Sequence, residues 1–396
     1  MIHRILSPSQ TRSYFLFGPR QTGKSTFVTS QARGNDLYIT LLSQTTFLNY
    51  IRDPGLFRKE VLAHHEQHGK FTCIVDEVQK IPGLLDEVHD LIETYGIRFI
   101  LTGSSARKLK RGAANLLAGR ADTYQLYPLT YEELGKNFNL ERALRIGCLP
   151  YLWSQEKGPE LEERDQNRFL KSYADVYLRE EIQAEGVVRN IAPFVRFLDI
   201  AANNDGEIVN YSNISRECGV SLKTVQEYYQ ILDDTFLAHR LDPWTKSVRK
   251  RLVAHPRYYF FDTGITNALT HQYSILNPEV RGRRFEQFIL LQLIALNAYH
   301  EYGFQFFFWR TNTGVEVDLV IARGNEPIAA LEIKSTSVLT NAHAHGLREF
   351  QSDYPDTKAY IIAPIERPRL MNENIYALPW EVFLREYLGK LGTGSN

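Results

Sequence analysis

The feature that most constrains the fold is a glycine-rich segment near the start of the 396-residue chain. Gly18-Pro-Arg-Gln-Thr-Gly-Lys24-Ser25 fits the pattern GxxxxGK[ST] and lies between an apolar run and a helical pattern. In such a loop, backbone amides close around phosphate oxygens, the lysine approaches the terminal phosphates and the hydroxyl binds Mg²⁺. We therefore predict a strand–loop–helix unit that binds a triphosphate through Gly18, Pro19, Arg20, Gln21, Thr22, Gly23, Lys24, Ser25 and Thr26.

Short apolar runs alternate with helical patterns up to about residue 130, which is typical of a parallel α/β sheet. The predicted strands are Tyr14–Phe17, Leu37–Leu41, Phe71–Val75, Arg98–Leu101 and Thr123–Tyr127.

Polar side chains follow the third and fourth of these strands. Asp76 is expected beside the water shell of a magnesium ion, and Glu77 is expected to orient and deprotonate an attacking water. Thr102 and Ser104 would hold that water or contact the γ-phosphate. The second acid indicates hydrolysis rather than binding alone.

These motifs resemble the AAA+ branch of P-loop ATPases, and in particular a group with GPRQxGKS/T, DEVQK and LTGSS motifs. The last two read Asp76-Glu-Val-Gln-Lys80 and Leu101-Thr-Gly-Ser-Ser105 here. The resemblance implies a RecA-like sheet, ATP and Mg²⁺ as ligands, and a homo-oligomeric ring such as a hexamer. It also implies that Arg120 reaches the γ-phosphate of a neighbouring subunit. Alternatively, Arg120 is a surface or salt-bridged arginine.

A helix–turn–helix pattern lies in the mostly helical middle of the chain. Residues 213–218 and 222–232 read as helices around Gly219, with Ser221 as the N-cap of the second helix. The apolar positions that would face the core are Leu222, Val225, Tyr229 and Leu232. Lys223, Thr224 and Gln226 would then lie on the outer face, where recognition helices meet DNA.

A basic stretch lies between two apolar runs that begin at Phe236 and Tyr258 and would form a wing hairpin. Lys+Arg and Asp+Glu both number 46, so this charge is local rather than global. The stretch favours a DNA-backbone surface formed by Lys246, Arg249, Lys250, Arg251 and Arg257. Winged helices also serve as protein-binding or structural modules, and a basic stretch is often only a solvated face.

The C-terminal part reads as a second α/β unit. A helix is predicted at Phe285–His300, followed by strands at Phe304–Arg310, Val315–Ile321, Ile328–Ile333 and Lys358–Ile362. Because residues two apart share a strand face, Glu332 and Lys334 point the same way. With Asp318 and the helical Glu286, they could bind a second Mg²⁺ or Mn²⁺ ion.

This pattern resembles the PD-(D/E)xK nuclease core, although Val317 stands where the motif has its leading proline. An internal ion pair, or an inactive binding module with the same fold, is the alternative.

Four domains are predicted: an ATPase core at 1–130, a helical lid at 131–190, a winged helix at 191–270 and a nuclease-like domain at 271–396. The three cysteines are far apart, which suits a reducing compartment. No segment has the roughly 20 apolar residues of a membrane span, and the start lacks signal-peptide features. We expect a cytoplasmic protein with no membrane partner.

Three functional hypotheses follow. The first is a Mg²⁺-dependent ATPase that acts as an oligomer on DNA, including branched or damaged DNA. The second adds metal-dependent DNA cleavage by the C-terminal unit. The third is a nucleotide-controlled switch or scaffold whose C-terminal parts bind protein.

Overall fold

The computed structural model describes residues 2–107, 117, 119–154, 161–178, 191–245, 255–273 and 277–391. A five-stranded parallel sheet forms the N-terminal part, in the order β2-β3-β4-β1-β5. Its strands are β1 Ser13–Phe17, β2 Leu37–Thr40, β3 Thr72–Asp76, β4 Arg98–Gly103 and β5 Ala121–Gln125. All five predicted strands are therefore present, and the fifth begins two residues earlier than predicted. The α/β class predicted for this part is confirmed.

Helices cover both faces of this sheet: α1 Lys24–Gln31, α2 Gln44–Arg52, α3 Gly55–His68 and α4 Leu84–Tyr95. Successive side chains of β1 point to opposite faces, as the strand geometry requires. Phe15 and Phe17 pack in a core with α3 and α4. Tyr14 and Leu16 pack in a second core with α1. The central strands β1, β3 and β4 are buried on both faces and read as largely apolar runs, whereas the edge strands β2 and β5 are only partly buried.

The middle of the chain is helical, as predicted. Its helices are α5 Tyr131–Leu134, α6 Leu140–Ile146, α7 Pro150–Trp153, α8 Glu163–Ser172, α9 Ile191–Asn203, α10 Tyr211–Cys218, α11 Leu222–Asp234 and α12 Thr263–Leu269, and a π-helical turn spans Tyr173–Tyr177. Gly219 ends α10 in the left-handed conformation, and the Ser221 hydroxyl accepts a hydrogen bond from Thr224 N at the start of α11. The predicted helix–turn–helix is present. Leu222 is an exception to the predicted core face, because it is exposed.

The C-terminal part contains an eight-stranded mixed sheet in the order β12-β13-β11-β10-β9-β8-β6-β7. The strands are β6 Ala238–Pro243, β7 Arg257–Phe260, β8 Gln305–Arg310, β9 Glu316–Arg323, β10 Glu326–Ile333, β11 Lys358–Ala363, β12 Arg369–Asn372 and β13 Ile375–Pro379. The predicted wing strands β6 and β7 pair antiparallel with each other, and Asp242 and Pro243 of β6 pair with β8. The hairpin therefore continues the C-terminal sheet. The β12–β13 hairpin was not predicted.

The remaining helices are α13 Pro278–Tyr299, α14 His345–Asp353 and α15 Trp380–Val382. Helix α13 begins seven residues before its predicted start, because Asn277 caps it and Pro278 occupies its first turn. Phe288 and Leu293 of α13 lie in the large core shared with the middle helices and the eight-stranded sheet. Ala295 and Tyr299 lie in the core on one face of the N-terminal sheet. Helix α13 thus joins the two sheets. No described helix is long and apolar enough to cross a membrane.

Candidate nucleotide site and C-terminal carboxylate cluster

The glycine-rich loop follows β1 directly, as the motif predicts. Gly18 has a φ of 149°, and a Cβ there would lie 2.3 Å from Leu126 O, so a larger residue would collide with the end of β5. Lys24 is buried, and its Nζ donates hydrogen bonds to Gly18 O at 2.8 Å and Pro19 O at 2.9 Å. The ammonium group therefore lies against the two residues that open the loop. Thr26, one of the predicted nucleotide ligands, is exposed on α1.

Side chains from outside the loop hold its other carbonyl groups. Arg4 Nη1 donates to Thr22 O at 2.8 Å, and the hydroxyl of Tyr173 in the π-helical turn donates to Arg20 O at 3.0 Å. Within the loop, the Thr22 hydroxyl donates to Pro19 O at 2.9 Å. The loop is thus fixed in part by Arg4 and Tyr173, which its own motif does not contain.

Asp76 ends β3 beside the start of α1. The Ser25 hydroxyl donates to Asp76 Oδ2 at 2.9 Å, and the Tyr38 hydroxyl donates to the same oxygen at 2.9 Å. The Thr102 hydroxyl donates to Asp76 Oδ1. Proximity of a serine hydroxyl and a carboxylate is what a hard oxygen-preferring cation requires, so Ser25 and Asp76 fit Mg²⁺. Burial, followed by the charge of Asp76, raises the pKa of Tyr38, so Tyr38 keeps its proton and acts as a donor.

Glu77 is buried and has left-handed backbone geometry, with a φ of 64°. Gln79 Nε2 donates to Glu77 Oε2 at 2.5 Å, and the Ser104 hydroxyl donates to the same oxygen at 3.1 Å. Glu77 N donates to Thr102 Oγ1 at 3.2 Å. Four residues predicted from separate strands, namely Asp76, Glu77, Thr102 and Ser104, are therefore brought together at one edge of the sheet.

Arg120 lies at the opposite edge of this sheet. It directly precedes β5, and the first residue of β5, Ala121, pairs with Ser13 at the amino end of the parallel strand β1. The glycine-rich loop at residues 18–25, which we call the phosphate loop, instead follows the carboxyl end of β1. A five-residue strand is roughly 16 Å long, so Arg120 is remote from the phosphate loop of its own chain. Its half-exposed guanidinium is hydrogen-bonded to Glu93.

A second charged group lies in the C-terminal sheet, and we call it the carboxylate cluster: Glu286, Asp318, Glu332 and Lys334. Lys334 Nζ is 2.6 Å from Glu332 Oε1 and 3.3 Å from Asp318 Oδ2. Asp318 Oδ2 also accepts a hydrogen bond from Ile333 N at 2.8 Å. Burial lowers the pKa of Lys334, but the Asp318 and Glu332 carboxylates outweigh it and raise that pKa, so Lys334 stays charged.

Glu286 joins this cluster from α13. Its carboxylate accepts a hydrogen bond from the Tyr259 hydroxyl at 2.6 Å and lies 3.8 Å from Arg257 Nη1. Burial, followed by the nearby Asp318 charge, raises the pKa of Glu286 to about 7. The same two causes raise the pKa of Glu332 to about 8, and Glu332 Oε2 is buried without a hydrogen-bond partner.

The geometry does not make the cluster a formed metal site. Among the described residues, no group of three or more His, Cys, Asp or Glu side chains is arranged to hold a metal ion. The predicted ligands Glu286, Asp318 and Glu332 are near one another, but Lys334 and Arg257 already neutralise part of their charge.

The position of Arg257 contradicts its predicted place on a DNA-contacting surface. Its side chain is buried, forms an ion pair with Glu316 and packs over the Phe308 ring, with the guanidinium carbon 4.5 Å from the ring centroid. All four residues of β7 are buried, whereas the sequence presents Arg257 only as part of a run of positive charges. Arg257 is therefore an internal residue and not part of a DNA-contacting face.

The other predicted DNA-binding residues divide into two groups. Lys223 and Gln226 are exposed on α11, and Thr224 is half-buried with its hydroxyl 2.8 Å from Ser221 Oγ. Lys246, Arg249, Lys250 and Arg251 lie outside the described residues.

Sequence reasoning missed four residues that organise the nucleotide site: Arg4, Tyr38, Gln79 and Tyr173. Gln79 lies inside the DEVQK motif, two residues after Glu77. This closeness in sequence to Glu77 was the signal that could have identified Gln79 as a site residue. The other three reach the site only through the packing of separate elements.

Three family models match successive segments of the chain. Residues 10–135 match an AAA domain, residues 137–274 a domain of unknown function (DUF8612), and residues 281–383 a second domain of unknown function (DUF4143). The first match supports an AAA-type P-loop ATPase in the segment that holds Lys24, Asp76 and Glu77.

Similar chains occur in Mycobacterium and Haemophilus. The sequence is 26% identical over 375 residues to an uncharacterized protein of Mycobacterium tuberculosis and to one of Mycobacterium bovis, covering 93% of this chain and 80% of each relative. An uncharacterized protein of Haemophilus influenzae is 22% identical over 266 residues, which are 63% of this chain and 66% of that relative. The structure of Can2 from Sulfobacillus thermosulfidooxidans in complex with cyclic tetra-adenylate aligns over 94% of this chain and 95% of that one. The two chains are 11% identical in sequence and the TM-score is 0.18, so this similarity supports no conclusion about fold or function.

Proposed function

We propose that this protein, whose residues 10–135 match an AAA domain, is a Mg²⁺-dependent ATPase that hydrolyses ATP between subunits of a homo-oligomer acting on DNA. The observation that carries the proposal is the assembly of Ser25, Asp76 and Glu77. Ser25 Oγ lies 2.9 Å from Asp76 Oδ2, and the next carboxylate is held by Gln79 and Ser104.

Each residue has a role that follows from its position. The loop amides bind phosphate oxygens, and Lys24 balances their charge. Ser25 and Asp76 would hold Mg²⁺, which neutralises charge on the phosphate oxygens when bound. Glu77 accepts the proton of the attacking water, while Gln79 and Ser104 fix the direction of its carboxylate.

Arg120 would act on the neighbouring subunit. Its distance from the phosphate loop of its own chain favours a trans role, and its side chain is 35% exposed. A guanidinium placed at the γ-phosphate stabilises charge in the transition state, an effect of about 10³–10⁵ in rate in related ATPases and GTPases.

Co-expression of two inactive variants tests this arrangement. Arg120→Ala subunits keep an intact hydrolytic site, and Glu77→Gln subunits keep an intact Arg120. In a mixed oligomer, roughly a quarter of the head-to-tail interfaces join the two intact halves, so ATP turnover should return to about that fraction. An Arg120→Ala protein that alone hydrolyses ATP at the wild-type rate would remove the trans role.

DNA is proposed as the partner because Lys223 and Gln226 are exposed at the start of α11, with a basic stretch following in the chain. Phosphate contacts release counterions, so DNA affinity should fall steeply between low and high salt, and forked DNA should stimulate ATP turnover. Lys223→Ala should weaken binding a few-fold and reduce the salt slope by about one, with exposed Lys358→Ala as the control. DNA-independent turnover and salt-insensitive partner binding would instead favour the protein-binding switch.

Metal-dependent DNA cleavage is a second candidate. One observation favours it: Asp318, Glu332 and Lys334 meet as the motif predicts, and Glu332 Oε2 is buried without a hydrogen-bond partner. Incubation of forked and linear DNA with Mn²⁺ tests it. Cleavage that disappears in Asp318→Asn supports the activity, and products that persist in that variant would come from a contaminant.

A further inference from the structure

We infer that Arg4 is a positioning residue of the phosphate loop and connects that loop to helix α13 of the C-terminal part. The inference rests on the proposed function, since it requires that the loop binds a triphosphate. Arg4 lies outside the GxxxxGK[ST] motif, 14 residues before its first glycine.

The guanidinium of Arg4 is almost completely buried and has four partners. Nη1 donates to Thr22 O at 2.8 Å, and Nε donates to Glu133 Oε1 at 2.9 Å. Nη2 donates to Tyr127 O at 2.6 Å and to the Tyr299 hydroxyl at 2.9 Å. These partners belong to the phosphate loop, the short helix α5, the segment after β5 and the end of α13. One planar group with a fixed set of donors therefore joins four separate parts of the chain.

The contact with Thr22 bears directly on phosphate binding. In a planar trans peptide, the carbonyl and the following N–H point in opposite directions. Because Arg4 binds the Thr22 carbonyl, the Gly23 N–H is directed away from Arg4, and under the proposed function it donates to the phosphate. A Cβ on Gly23 would lie 3.9 Å from Arg4 Nη1 and 3.8 Å from Pro150 Cγ, so this side of the loop is closed by protein.

The contact with Tyr299 links this peptide to the C-terminal part. The Tyr299 hydroxyl also accepts a hydrogen bond from Tyr127 N at 3.0 Å, and its ring packs with that of Tyr127, the centroids being 5.8 Å apart. Glu133 Oε1 accepts a hydrogen bond from Ile5 N at 2.9 Å as well, which holds the Arg4 segment in place. A displacement of the end of α13 would therefore move the partner that orients Arg4, and with it the Thr22–Gly23 peptide.

The experiment measures binding of Mg-ATP and of inorganic triphosphate by calorimetry, together with KM, kcat and the melting temperature. Arg4→Gln should weaken both ligands by about tenfold, the size expected for one charge-assisted hydrogen bond. Since the contact is made in the ground state and the transition state alike, KM should rise with little change in kcat. Arg4→Lys should recover part of the affinity, because an ammonium keeps the charge but cannot contact all four partners.

Two further variants separate positioning from folding. Arg12→Gln breaks an exposed ion pair with Asp122 elsewhere in the N-terminal part and should leave both affinities unchanged. Tyr299→Phe removes the hydrogen bonds from Arg4 and Tyr127 N, and it should weaken both ligands about two- to threefold because Arg4 loses one of its four partners.

The outcomes are distinct. A lower melting temperature for Arg4→Gln with unchanged triphosphate affinity would make Arg4 purely structural and overturn the inference. Unchanged affinity in Tyr299→Phe would overturn the link to α13. If wild-type protein binds neither ligand, the proposed function itself fails.

Discussion

The nucleotide site and the carboxylate cluster both place acidic residues at strand ends, but they balance the charge differently. Asp76 accepts hydrogen bonds from the hydroxyl groups of Ser25, Tyr38 and Thr102. In the carboxylate cluster, Lys334 pairs with Asp318 and Glu332, and Arg257 lies beside Glu286. Neutral donors orient a carboxylate without cancelling its charge, whereas ammonium and guanidinium groups cancel it.

This difference predicts how each region meets a cation. A cation at Asp76 would meet neutral hydroxyl donors rather than competing positive charges, and Ser25 would supply it with a second oxygen. In the carboxylate cluster a cation would compete with Lys334 and with protons, because burial and Asp318 raise the pKa of Glu332 to about 8. Burying charges is costly unless they are paired, and internal pairing is how this region meets that requirement.

The largest expected effect is the loss of ATP turnover when Lys24 of the nucleotide site is replaced. Lys24→Ala should lower ATP turnover by about a thousandfold, because it removes the positive charge that balances the phosphates bound by the loop amides. Steady-state phosphate release measures this. Lys59→Ala, which removes an exposed lysine paired with Asp53, should leave turnover unchanged. Equal rates in the two variants would place hydrolysis elsewhere.

Glu77→Gln should lower kcat by about a hundredfold while ATP affinity is retained, since the amide keeps the shape of the side chain but accepts no proton. A fluorescent ATP analogue measures binding and single-turnover assays measure chemistry. The exposed Glu66→Gln serves as the control. Wild-type turnover in Glu77→Gln would exclude this carboxylate as the base.

The pH dependence of stability tests the carboxylate cluster. The folded protein raises the pKa of Glu286 from 4.5 to about 7, so the folded state binds more protons than the unfolded state in that range. The contribution of Glu286 to stability is therefore fully present below about pH 4.5 and is lost as the pH rises through 7.

Glu286→Gln removes this titration. Its melting temperature relative to wild type should increase by about 3 °C between pH 5 and pH 8. Differential scanning calorimetry at a series of pH values measures the difference, with exposed Glu373→Gln as the control. A difference that does not change with pH would mean that Glu286 is ionised throughout.

The smallest effect concerns a metal at the carboxylate cluster. Without nucleotide, millimolar Mn²⁺ should raise the melting temperature by about 1 °C through this cluster, and Asp318→Asn should abolish that part of the shift. Asp76→Asn identifies the part that comes from the nucleotide site. A shift of several degrees that requires Asp318 would make the cluster a stronger metal site than its internal ion pairs indicate.

Much of the nucleotide site was predictable because its residues follow short strands of one parallel sheet. Each of Lys24, Asp76 and Thr102 follows or ends an apolar run, and parallel strands bring their carboxyl ends to one edge. The C-terminal strands were predictable because each is a short, largely apolar run, although their sheet is mixed rather than parallel. Arg257 was misassigned because a run of basic residues does not reveal which of them turns inward.

The amino-acid sequence by itself determined the α/β order of the N-terminal part, the phosphate loop and the acidic strand, since local periodicity and contiguous motifs encode them. Only the tertiary structure decided that β6 and β7 continue the C-terminal sheet, that Lys334 is paired within the carboxylate cluster, and that Arg4 holds the phosphate loop. The pairing of β6 with β8 and the contact of Arg4 with Tyr299 join residues far apart in the chain. Their existence depends on how the helices and sheets pack, which no local pattern specifies.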